Sequence, residues 1–264
     1  MKTNYISILI LLITLFTSCS NDDDIATTDL TASEPGAINL TFDSQVAGEP
    51  FTLDQTYTIN GESITINQLR YWVSNIVLIN EAGEAVALPE SYFLIEETGA
   101  ISIQDGAYEY PAIQRESIAL SGIPAGEYTD IEFSIGIDSQ YNDNLSLQAG
   151  ELSQLNGMTN ISWMWHTSYI FASVKGMLNN ATELTLETGL NSSYRTLTIP
   201  FSEAISVNGS TNNTVTIASE ITGMLEGIDF AETPIIGAST PEAMTVMADN
   251  FQNTTFALQP DSNE

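Results

Sequence analysis

The sequence predicts an all-β fold: an antiparallel, Greek-key-like β-sandwich with a few short helices in its loops. Short runs of alternating apolar and polar residues recur along the chain. Turn-forming residues separate them at close intervals, the pattern of a sandwich or barrel and not of a helical bundle. The chain is 43% hydrophobic, enough for a substantial core, and carries no low-complexity block, fixed-period repeat or interior linker.

Ile38-Asn39-Leu40-Thr41-Phe42 alternates as a half-buried strand does, and Gly48-Glu49-Pro50 turns the chain. Ile64 to Asn80 reads as one or two long strands holding Trp72, closed by the turn Glu81-Ala82-Gly83-Glu84. Tyr92 to Glu96 is a further strand. Ile123-Pro124-Ala125-Gly126 turns tightly into Ile131 to Ile137, which alternates up to Asp138. Leu145 to Leu155 reads as a short helix. Glu183 to Glu187, Thr196 to Phe201 and Thr214 to Ala218 alternate again. Ile221 to Ile228 and Pro241 to Phe251 read as short helices, and Thr255 to Leu258 as a closing strand. Period-two placement puts Ile38, Leu40, Phe42, Phe133, Ile135, Leu184 and Leu186 inside.

The N-terminal residues carry a different signal. Lys2 precedes an apolar run from Ile6 to Phe16, too short to span a membrane, and small residues then lead to Cys19. Thr17-Ser18-Cys19 is like a lipobox, with Phe16 where leucine is more usual. Cys19 is the only cysteine, so no disulfide can form within the chain and lipidation is its natural use. Residues 20–24, Ser-Asn-Asp-Asp-Asp, are similar to signals that send lipoproteins to the outer membrane surface. The expected organisation is a signal peptide at 1–18, a flexible acidic tether at 19–35 and a β-sandwich at 36–260. Cys19 would then anchor an outer-membrane lipoprotein of a Gram-negative bacterium, facing the periplasm or the cell surface.

Composition removes several functions. The net charge of −29, from 5 basic and 34 acidic residues, repels nucleic acid. Histidine-based triads and two-histidine zinc motifs conflict with a single histidine, His166, and no phosphate-binding glycine loop is present. A pair of carboxylates could still hydrolyse glycosides, but among 34 acids any such pair is uninformative, and the expected protein is not an enzyme. Asp138, Asn142, Asp143 and Asn144 form an oxygen-rich loop. Asp138 and Asp143 are its candidate calcium ligands, although the spacing is not that of an EF-hand.

The chemistry concentrates in Ile161 to Gly176, ISWMWHTSYIFASVKG. It holds Trp163 and Trp165, two of the three tryptophans, together with His166. On an extended strand Trp163 and Trp165 share one face, Met164 and His166 the other. A core strand filled with aromatics explains the tryptophans without any chemistry. A site using a tryptophan and a histidine together is the alternative.

This stretch resembles the central motif of the MbnP family, copper-binding proteins related to MopE and to the CorA proteins of methane oxidisers. Trp163-Met164-Trp165-His166-Thr167-Ser168-Tyr169-Ile170-Phe171 with Gly176 carries the likeness. Leu69 to Ile76, Ile123 to Tyr128, Phe133 to Asp138, Met247 to Phe251 and Phe256 are similar to other family segments, so the resemblance spans about 37–259. The resemblance implies a β-sandwich and a copper cofactor. It also implies a tryptophan oxidised to kynurenine by a di-haem partner enzyme of the MauG type. Kynurenine offers an aniline nitrogen and a carbonyl, whereas indole has no lone pair for a metal. The resemblance implies His166 and Trp163 or Trp165 as the metal residues, and Met164, Met244 and Met247 are candidate soft donors that could substitute for a missing histidine toward Cu(I). The chain departs from the pattern in three places: Met158 lies five residues before Trp163, Ser168 replaces a glycine, and there is one histidine where copper favours two or more. A second function class follows from that last departure: a surface lipoprotein that has lost the metal and binds a protein or glycan.

Overall fold

The computed structural model describes residues 34–103, 106–160 and 168–259. Its strands are β1 (Gly36–Val46), β2 (Glu49–Pro50), β3 (Thr56–Ile59), β4 (Glu62–Asn80), β5 (Ala85–Ala87), β6 (Tyr92–Thr98), β7 (Ile101–Ile103), β8 (Tyr108–Tyr110) and β9 (Ile113–Arg115). Then follow β10 (Ser117–Ile123), β11 (Gly126–Ile135), β12 (Thr159–Asn160), β13 (Ser168–Leu178), β14 (Thr182–Gly189), β15 (Arg195–Val207), β16 (Asn212–Glu220), β17 (Ile235–Ile236) and β18 (Phe256–Leu258). Helices α1 (Ser139–Asn142), α2 (Ile221–Met224) and α3 (Pro241–Asn253) lie between them.

Two sheets face each other. The first runs β10-β1-β16-β18, and the second β15-β11-β4-β13-β14-β17 with β6 and β9 continuing from β4. Pairing is mostly antiparallel, as expected, but β1 and β16 run parallel from Ala37 opposite Asn212 to Gln45 opposite Glu220, and β14 and β17 also run parallel. The chain changes sheet between β10 and β11, at Pro124-Ala125. Tyr128 Oη donates back to the Pro124 carbonyl at 2.8 Å and fixes that corner.

The alternating residues fill the space between the sheets. β1 is buried at every second position from Gly36 to Val46, and Phe42, Phe133, Leu184 and Leu186 are fully buried. Phe42 meets Phe133 edge-on at 5.4 Å across the sandwich, and both meet Phe256, at 5.9 and 5.4 Å. Tyr71 and Phe251 extend this cluster, Phe251 arriving on α3. Edge-to-face pairs of this kind add to what burial alone contributes.

Three elements differ from the expectation. Residues 145–155 are turns and irregular backbone; the helix forms earlier, at Ser139–Asn142. Asp138 starts it by accepting from Gln140 N, and Asn144 Oδ1 then takes Ser146 N in a turn that competes with helix. The helix expected over 221–228 closes after Met224. β10 has no counterpart in the sequence reading, although Ile118 and Leu120 alternate there.

Phe133→Ala removes a fully buried ring touching both sheets. A loss of about 3–5 kcal/mol in urea unfolding is expected, against under 1 kcal/mol for an exposed site such as Thr198→Ala.

Candidate functional site

In the second sheet, β4 is buried on both faces from Gln68 to Ser74. Tyr71 points into the sandwich, whereas its neighbour Trp72 points outward into a second, smaller core. That core contains Trp72, Tyr92, Ile137, Met158, Tyr169 and Phe171, and the chain from Asp138 to Met158 covers it. Three of the segments singled out in the sequence meet here: Leu69–Ile76, Phe133–Asp138 and Ser168–Phe171.

Their polar residues hold the region in place. Asn75 sits in a left-handed conformation, φ 51°, where β4 shifts register against β11. Its amide nitrogen donates to Asp138 Oδ2 at 3.2 Å and to Tyr194 Oη at 2.6 Å. Tyr92 Oη donates to the same Asp138 oxygen. Burial, reinforced by the Asp138 carboxylate, pushes the Tyr92 phenol far above its ordinary value, so it stays a donor. Ser74 Oγ donates to the Gly136 carbonyl at 2.6 Å. Gly136 has φ +107°, and a Cβ there would come within 2.4 Å of the Phe171 ring, so only glycine fits.

One strand step along, Arg70 is buried against Glu96, its Nη2 2.7 Å and its Nε 2.9 Å from Oε2, with the guanidinium 4.8 Å from the centre of the Tyr110 ring. Tyr110 Oη donates to the other Glu96 oxygen at 2.7 Å. Arg115 forms a bidentate pair with Glu151, and Lys175 and Arg195 pair with Glu187 and Asp249. All four cationic side chains of the described residues are thereby engaged.

Trp163, Met164, Trp165 and His166, with Cys19, lie outside the described residues. The flanks of 161–167 are described. Asn160 pairs with Ser168 and Thr159 with Tyr169, while Ile170 N donates to the Met158 carbonyl at 2.9 Å. Tyr169 N donates to Asn142 Oδ1 at 2.9 Å. Beside these flanks Trp72 Nε1, Ser168 Oγ and Tyr169 Oη are buried without a hydrogen-bond partner among the described residues. The Trp72 and Tyr169 rings meet edge-on at 6.0 Å. Unpaired buried donors are uncommon and costly, and three in one small core mark a place for a further polar group.

Asp138 and Asp143 occupy opposite ends of α1 and serve as hydrogen-bond acceptors. Asp138 caps the helix and takes Tyr92 and Asn75; Asp143 takes Asn191 Nδ2 at 2.9 and 3.1 Å. Met244 and Met247 are buried in the main core on α3, away from the second core. Among the described residues no three His, Cys, Asp or Glu side chains group as a metal site. The sequence reading missed two separate sets, Arg70 with Glu96 and Tyr110, and Asn75 with Tyr92 and Asp138; for the first, buried charge inside an apolar strand was the available signal.

The sequence matches the MbnP family model over residues 35–245. Among solved structures, MbnP from Methylosinus trichosporium is similar at 13% identity, covering 75% of this chain and 79% of that chain, with a TM-score of 0.48. No curated protein sequence matches.

Tyr92→Phe removes the phenol that donates to the Asp138 carboxylate while leaving the ring in place. Chemical denaturation is expected to show a loss of about 1.5–3 kcal/mol, the range for a hydrogen bond to a charged group. Tyr57→Phe, at an exposed hydrogen bond, should cost under 1 kcal/mol.

Proposed function

The chain belongs to the MbnP family, and from that membership we propose that it is a copper-binding protein, not an enzyme, carried on an outer-membrane lipid anchor through Cys19. The observation that carries the reading is the extent of the family match, which spans Trp163, Trp165 and His166 and their described flanks.

The described residues supply no copper ligand set of their own. Trp72 Nε1 is a donor with no lone pair for a metal. Burial raises the Tyr169 phenol above its usual value, which disfavours the phenolate a metal would need. On this reading the donors come from 161–167, with His166 as the imidazole and Met164 as a soft thioether. A kynurenine made from Trp163 or Trp165 by a di-haem oxidase would add the nitrogen and oxygen donors that one histidine leaves wanting. Copper, when bound, would supply the affinity for soft and imidazole ligands. The role of the chain's own residues is to hold the ends of that segment together against a rigid core.

Protein from the native host should contain copper, and His166→Ala should lose it by metal analysis. Peptide mass spectrometry should find Trp163, or else Trp165, with one ring carbon lost and one oxygen gained. Copper retained in His166→Ala removes that residue as a ligand. Intact indole at both positions, in cells expressing the oxidase under copper limitation, removes kynurenine from the reading.

The anchor is tested separately. Cys19→Ser should move the protein from the membrane pellet to the soluble fraction, and a variant that still pellets would refute lipidation at this residue.

A further inference from the structure

The first sheet ends in a bare edge. β10 pairs with β1 on one side, and among the described residues no strand pairs with its other side. Which of its backbone groups face outward follows from the ladder. Phe42 N donates to the Glu116 carbonyl at 2.8 Å, one step beyond the Thr41–Ser117 pair. Hydrogen-bonded pairs alternate along an antiparallel ladder, so Leu40–Ile118 and Ile38–Leu120 are the next two. Thr41–Ser117, Asn39–Ala119 and Ala37–Ser121 are then the closer, non-bonded pairs, and the Thr41 and Ser117 hydroxyls meet at 2.9 Å as that spacing allows. The N–H and C=O groups of Ser117, Ala119 and Ser121 therefore point away from β1, at three exposed residues.

Edges of this kind are normally blunted by brevity, proline, charge or a bulge. The other edges of this protein are. β9, β17 and β18 are two or three residues long. β15 contains Pro200 and the exposed Glu203, and it shifts register against β11. The stretch Ser117-Ile118-Ala119-Leu120-Ser121 has no proline and no charge, in a chain with 34 acidic residues. Beside it on the same outer face stand Asn39 and Thr41 of β1 and Thr214 and Thr216 of β16. The next carboxylate along β1, Asp43, is held by the Gln45 and Gln259 amides, each at 2.6 Å.

The chain's own N-terminal end is led elsewhere. Glu34 lies beside the turn that enters β16, so close that a Cβ on Gly209 would stand 2.7 Å from the Glu34 Cβ. A second copy fits the edge better, because the free groups are self-complementary about Ala119. Two copies, each with a net charge of −29, repel through most of their surfaces and least through an uncharged strip.

We propose that β10 is a self-pairing edge: a second copy of this chain adds its own β10 antiparallel, about a two-fold axis at Ala119, and joins the two first sheets into one. In this register Ala119 faces Ala119 of the second copy, and Ser117 faces Ser121. All three are hydrogen-bonded pairs, so every outward N–H and C=O of the strip finds a partner. The contact is confined to one strand and its neighbours, which makes the association weak and reversible. It uses none of the residues of the copper reading and stands apart from it.

The test is sedimentation of the full chain carrying Cys19→Ser, which excludes a disulfide between copies. The mass should rise from one chain toward two, with half-association on the order of 10⁻⁵–10⁻⁴ M, as suits a contact below standard interface size. Added salt should tighten the pairing, because it screens the like charges of the two copies. Ala119→Pro removes an N–H that β1 does not use, so it should unfold near the wild-type Tm while abolishing association. Ala119→Lys sets two cations against each other at the axis and should also give a monomer. Ala119→Cys should cross-link to itself under mild oxidation, since hydrogen-bonded pairs stand about 5.5 Å apart between Cα atoms, within disulfide reach. Ser210→Cys, in the exposed turn before β16, should not. A chain that stays monomeric across that range overturns the proposal. If its Ala119 amide then exchanges freely the edge is open to a foreign strand, and if it is protected the chain's own N-terminal segment covers it. A dimer that survives both Ala119→Pro and Ala119→Lys overturns it as well, since the copies would then meet through another surface.

Discussion

Burial of the Gln68–Ser74 stretch of β4 on both faces is the constraint on which the rest of the structure depends. Leu69, Tyr71 and Val73 must satisfy the space between the sheets, and Trp72 must satisfy the core outside it. A strand in that position has no solvent side on which to leave a polar group. Gln68, Arg70 and Ser74 are therefore each provided with partners: Gln68 Nε2 donates to Ser173 Oγ at 2.8 Å, Arg70 meets Glu96, and Ser74 meets the Gly136 carbonyl. Replacing one member of the Arg70–Glu96 pair would strand a buried charge, which costs more than the intact pair contributes.

The same constraint decides how a chain with 34 acidic residues folds around so few cations. The four described cations all lie in or beside the second sheet and all neutralise carboxylates there. The contrast between Glu96 and Glu97 follows from strand alternation alone. One carboxyl points outward to Arg70 and Tyr110, and its neighbour points inward to another acid.

Much of the sandwich was legible in the sequence because its strands are buried on one face and so alternate. Ile38, Leu40 and Phe42 announced β1, and Phe133 and Ile135 announced β11. The parallel pairing of β1 with β16 was not legible, since a strand's own pattern is silent about its neighbour's direction. The 145–155 segment was misread because Leu145, Ala149 and Leu152 have helical spacing; they are apolar in order to cover Trp72 and Tyr92 as an irregular lid. Asp138 and Asn142 stand out in the sequence as oxygen ligands, and in the fold those oxygens accept hydrogen bonds from Tyr92, Asn75 and the Tyr169 backbone N–H. Sequence shows that an oxygen is present; only the fold shows what it already holds.

That distinction bears on the copper reading. A metal site built within a seven-residue segment needs its two ends fixed, because every ligand it presents would otherwise lose conformational freedom on binding. Here the antiparallel pair Asn160–Ser168, the Met158 carbonyl and Asn142 fix those ends. Trp72 Nε1 and Tyr169 Oη stand beside them as unspent donors. An indole N–H could donate to the Tyr169 hydroxyl but could not satisfy Trp72 Nε1, since each is only a donor. A kynurenine carbonyl could accept from Trp72 Nε1. Oxidation of a tryptophan would thus convert a group with nothing to offer Trp72 Nε1 into one that offers an acceptor as well as a metal ligand.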